Sequence, residues 1–119
     1  MIKQTLALVA LIAAPTLAMA DPASVQHVKV SQSGDTFSFD VTIRHKDTGW
    51  DDYADIWRIK DENGNVLAQR KLAHPHVNEQ PFTRSLSNVK VPAGAKNVVV
   101  EVHDTVTGWA AQTKTVPLY

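Results

Sequence analysis

Two of the five histidines, His74 and His76, stand one residue apart in the segment 73–81, with Glu79 close behind. Imidazoles next to carboxylates can ligate a transition metal, move a proton, or hold a buried polar network together. Pro75 and Pro81 push the residues before them toward extended geometry, and the segment has neither glycine nor serine. It is therefore expected to present its imidazoles in fixed directions. Two ligands do not make a tight site, so further donors must come from elsewhere in the chain.

The elements that position those donors read as strands. Residues 36–44 alternate cleanly: Phe37, Phe39, Val41 and Ile43 point one way, and Ser38, Asp40, Thr42 and Arg44 the other. Such period-two alternation marks a strand with one face on a core. Continued one step, the parity turns His45 inward at the rim. Residues 25–31 read as a preceding strand and 53–60 as the next, in which Asp55, Trp57 and Ile59 share the inner face and Trp57 is the central aromatic. Asn63-Gly64 is a hairpin signal that pairs 66–72 with that strand. Residues 82–91 follow, with Phe82, Arg84, Leu86 and Asn88 on alternating positions. Residues 97–104 turn Val98, Val100 and Val102 inward and His103 outward, and 109–116 form the last strand.

Seven short strands without helical periodicity predict an all-β fold, an immunoglobulin-like or fibronectin-like antiparallel β-sandwich. If successive strands alternate in direction, the second-to-third, fourth-to-fifth and sixth-to-seventh connections share one end. That end gathers His45, Asp47, Trp50, Asp52, His74, His76, Glu79, Asp104 and Trp109, with Asp55 and His103 close by. The opposite end offers only plain turns, 61–65 and 92–96.

Residues 1–20 read as an export signal. Lys3 gives the positive start, Leu6 to Ala14 the apolar run and Ala18-Met19-Ala20 the cleavage pattern, with the cut expected before Asp21. The run is too short to span a bilayer, so no membrane insertion of the mature chain is expected. Residues 21–119 then form a single domain of a periplasmic or secreted protein. Full-length charge balances at 12 basic against 12 acidic residues, and loss of Lys3 leaves a slight acidic excess. Such a balance argues against nucleic acid or anionic lipid as a partner, since both demand a basic face. The chain has no cysteine, which excludes disulfides, thiolate ligands and a cysteine nucleophile.

The strings spanning residues 45–57, with Thr48-Gly49-Trp50 and Trp57, and 72–86, with His74-Pro75-His76 and Glu79-Gln80-Pro81-Phe82, carry a resemblance. They resemble a family of small exported bacterial proteins with an immunoglobulin-like fold. The resemblance implies the fold and the compartment. It supplies no mechanism, so the chemistry rests on the residues.

Three uses of the shared end follow. In the first, His45, His74 and His76 ligate Cu(II) or Zn(II), with His103 a fourth ligand and Asp47, Asp55, Glu79, Arg84 and Asp104 in support. In the second, the same residues form a structural network in which an inward Asp55 draws donors from Arg84, Trp50 and His45. In the third, Trp50, Tyr53 and Trp109 form an interaction face for a periplasmic protein or a glycan. An enzyme is not expected: Ser85 and Thr83 near His76 form no nucleophile elbow, and a small sandwich offers little cleft. No organic cofactor is expected either. The reading carried forward is a non-catalytic exported protein that binds copper or zinc.

Overall fold

The computed structural model describes residues 21–119, so the expected export signal lies outside the described residues. Eight strands follow in order: β1 (Ser24–Ser33), β2 (Thr36–Arg44), β3 (Ala54–Lys60), β4 (Val66–Lys71), β5 (Phe82–Lys90), β6 (Asn97–Asp104), β7 (Gly108–Trp109) and β8 (Lys114–Pro117). No helix occurs among the described residues. One sheet runs β1-β2-β5 and the other β4-β3-β6-β7, with β8 also paired to β6. Every pairing is antiparallel. The fold is the two-sheet β-sandwich that the alternating pattern predicts.

Packing follows the period-two rule closely in the central strands. Phe37, Phe39, Val41 and Ile43 of β2 are buried and face Trp57 and Ile59 of β3 and Val98, Val100 and Val102 of β6. Burial of each such side chain contributes about 1.5 to 3 kcal/mol. Trp57 has no solvent exposure, as the sandwich-centre reading requires.

The pairings carry four register shifts, and two of them, with a break in the last predicted strand, move residues the sequence placed by parity. Between Ala54 and Ile56 the register against β6 slips, because Ala54 pairs with Asp104 and Ile56 with the adjacent His103. Asp55 is the extra residue, and a bulge throws such a residue off the expected face. Asp55 therefore does not enter the interior; Ala54 is buried instead. A second bulge lies in β5, where Phe37 pairs with Val89 and Phe39 with Leu86. Asn88 takes a left-handed conformation there, φ 59°, so Val89 rather than Asn88 continues the inner face. The last predicted strand divides into β7 and β8, with Ala110 turned inward in the interruption.

The expected clustering of connections is present. The 2–3 and 6–7 connections bond through the Thr105 amide to the Tyr53 carbonyl, 3.0 Å. The 2–3 and 4–5 connections bond through the His45 amide to Gln80 Oε1, 3.0 Å, and the His76 amide to Asp47 Oδ2, 2.8 Å. At the other pole the Asn97 amide bonds Glu62 Oε1, 2.9 Å, tying the two plain turns together.

Candidate metal centre

Asp47 is the hub of the chemical pole. Its side chain is fully buried, and three donors converge on it: His45 Nδ1 at 2.6 Å, the Ala54 amide at 3.0 Å and the His76 amide at 2.8 Å. A buried carboxylate is tolerable only with such partners. The sequence delivers them through a folded-back loop: Asp47 donates its amide to the His45 carbonyl, Thr48 to the Asp52 carbonyl, and Asp52 to the Gly49 carbonyl. Gly49 sits at φ 152°, a backbone geometry that side chains disfavour, and this reversal brings Asp52 back beside His45.

The acceptor at Asp47 orients the His45 ring through Nδ1 and turns Nε2 to the opposite side. That nitrogen faces Asp52 Oδ1 at 3.5 Å and Asp104 Oδ2 at 3.9 Å. Both distances exceed a hydrogen bond, and Asp52 Oδ1 is buried without a partner. Asp104 has no solvent exposure, and Oδ1 accepts the Val106 and Thr107 amides at 2.9 and 2.7 Å while the Thr107 hydroxyl donates to Oδ2. Burial alone would raise its pKa, but the Thr107 hydroxyl and these amides outweigh it, so the pKa lies below the ordinary carboxylate value.

One imidazole nitrogen and two carboxylates thus converge at this pole. His45, Asp52 and Asp104 each offer a ligand atom, all within 4.8 Å of one another. A tetrahedral zinc ion with bonds of about 2.1 Å sets its donors about 3.4 Å apart, close to the His45–Asp52 spacing. Asp47 behind His45 supplies the carboxylate that commonly orients a metal-binding imidazole.

The expected three-histidine set does not assemble. His76 Nε2 accepts from Arg84 Nη2 at 2.8 Å, because a guanidinium can only donate. Its Nδ1 therefore carries the proton and points toward Asp47 Oδ2, 4.0 Å away. The ring stacks on Phe82 with centroids 3.8 Å apart, and burial followed by the Arg84 charge lowers its pKa. Neither nitrogen is available to a metal. His74 is exposed, its Nδ1 donating to the Pro75 carbonyl at 2.9 Å, and its ring rests 4.6 Å from that of His76.

His103 faces outward as its parity implied, and pairs with Asp55, displaced by the bulge, at 2.5 Å. Its ring meets the edge of Trp109 at 5.0 Å, on the outer sheet face away from His45.

The supporting residues divide likewise. Asp47 bonds the His45 ring, and Asp104 lies 3.9 Å from its Nε2. Arg84 secures His76 rather than Asp55. Glu79 approaches Arg84 only at 3.9 Å and is largely exposed. Asp52, placed at this end by the sequence but given no role, is the carboxylate nearest to His45 Nε2; the glycine that reverses the loop is the signal for it.

Among the aromatics, Trp50 is 68% exposed and packs against the edge of Tyr53 at 5.5 Å. Trp109 is more covered, with the Arg58 guanidinium 3.6 Å above its ring.

No family model matches the chain, and no solved structure matches it. A protein of Halomicrobium mukohataei, provisionally named a lipoprotein, is 42% identical over 82 residues. That stretch is 69% of this chain and 40% of the relative, so the chain spans well under half of the relative's length.

Proposed function

We propose that the chain is an exported, non-catalytic domain that binds a divalent transition metal ion at one pole of its sandwich. His45, Asp52 and Asp104 hold the ion, and Asp47 orients the imidazole. The observation that carries this reading is His45 Nε2 facing two carboxylates at 3.5 and 3.9 Å, one of which, Asp52, has a buried oxygen without a hydrogen-bond partner. One imidazole and two carboxylates suit zinc better than copper, which prefers more nitrogen or sulfur. A three-residue set also leaves an open position for a further donor.

Export is supported by the apolar amino-terminal run and by the name of the relative, which places that protein with the lipid-linked proteins of a cell envelope.

Zinc titration followed by thermal unfolding tests the reading. A specific site raises stability by about 4 kcal/mol when free ion exceeds the dissociation constant a thousandfold. Asp52→Asn should abolish the rise, and His74→Ala should leave it intact. An Asp52→Asn protein that still responds fully would overturn the ligand set.

A further inference from the structure

The two carboxylates before His45 arrive on different connections and are held in unlike ways. Asp104 is fixed by its own turn, through the Val106 and Thr107 amides and the Thr107 hydroxyl. The Asp52 carboxylate has no such anchor: its Oδ1 is buried without a partner, and 21% of the side chain faces solvent. A carboxylate oxygen of each residue lies within 4.8 Å of the other, and like charges at that distance repel. Rotation of Asp52 toward water would relieve the repulsion and dismantle the donor set. The backbone around Asp52 must therefore hold its carboxylate in place.

Thr105, the residue after Asp104, grips Asp52 from both sides. Its hydroxyl accepts the Tyr53 amide at 3.2 Å and donates to the Asp51 carbonyl at 3.4 Å. A hydroxyl has one proton and two lone pairs, so both bonds form together. That amide and that carbonyl belong to the peptide units on either side of Asp52. The Thr105 amide adds a third tie, to the Tyr53 carbonyl at 3.0 Å. Thr105 itself is exposed, so replacing its side chain costs the core nothing.

We propose that Thr105 is a positioning residue of the ion site: its hydroxyl fixes the spacing of Asp52 from Asp104 and thereby sets the affinity for a divalent ion. The proposal rests on the ion reading above. In Thr105→Val the tie through the Tyr53 carbonyl persists and the fold is kept, while both peptide units flanking Asp52 lose their bond to the hydroxyl.

Competition between the full exported chain and a chromophoric chelator for zinc tests this, with wild type, Thr105→Val and Thr105→Ser side by side. Groups that orient metal ligands from behind carry about 10- to 100-fold in affinity. Thr105→Val is expected to weaken zinc binding by about that factor, and Thr105→Ser to restore most of it. Melting temperatures in EDTA should agree among the three proteins. Cobalt(II) gives a second readout, since its visible band senses the number and symmetry of its donors: the band should change in Thr105→Val and persist in Thr105→Ser. A wild type that binds neither ion would overturn the ion reading itself. Wild-type binding matched by Thr105→Val, a serine variant as weak as the valine one, or a melting temperature in EDTA that falls along with the affinity would overturn the positioning role and leave the ion site standing.

Discussion

The molecule contains two histidine–carboxylate pairs of nearly equal length and opposite circumstance. His45–Asp47, at 2.6 Å, has side chains almost wholly enclosed, whereas His103–Asp55, at 2.5 Å, lies on the outer sheet face with 25% and 20% of the side chains exposed. The length of the pair therefore says little. What separates them is the surroundings: His45 has two carboxylates before its second nitrogen, and His103 has the edge of Trp109. A histidine becomes a metal candidate through its second nitrogen, not through the bond that holds its first.

The contrast predicts unequal costs. Asp47→Ala strands three buried donors and should cost about 3 to 5 kcal/mol in denaturant unfolding, because each orphaned partner keeps its desolvation penalty. Asp55→Ala breaks a solvent-screened pair and should cost less than about 1 kcal/mol. Similar losses in the two variants would erase the distinction between the pairs. The next largest difference concerns zinc: His103→Ala should keep the thermal response in full, while His45→Ala should lose it.

A smaller effect is expected from pH. The His76 pKa is lowered by burial and by Arg84, so the unfolded chain takes up a proton first as the solution is acidified. Stability contributed by neutral His76 is complete above about pH 6.5 and declines as the pH drops toward its folded pKa. Urea melts of the wild type and of His76→Asn, compared between neutral and mildly acidic pH, should differ in slope, with the variant flatter. The smallest effect sits on the outer face, where Trp109→Ala removes the stack with Arg58 and should cost about 1 kcal/mol. A larger loss would show that the outer face contributes more to stability than its exposure implies.

Sequence alternation was sufficient for the sandwich because β2 and β6 place every inner residue by parity. It failed for Asp55 and Asn88 because a bulge adds one residue and inverts the phase beyond it, with no distinct residue type announcing the change. At the site, His45 was legible from the same parity, and Asp47 and Asp104 from their loops. The histidine set was misjudged because imidazole identity was read without its neighbours: Arg84 sits two residues from Phe82 and therefore on the same face as His76's stacking partner, where it takes the nitrogen a metal would need. Asp52 was placed at this end without a role because its orientation depends on the chain reversal at Gly49, not on strand parity.

The three donors of the candidate centre come from both ends of a long stretch of chain, His45 and Asp52 on one connection and Asp104 on another. They can meet only once β3 and β6 have paired. An ion that binds only this paired arrangement would act as a clasp: it would slow the escape from the folded state and leave the rate of reaching it nearly unaltered.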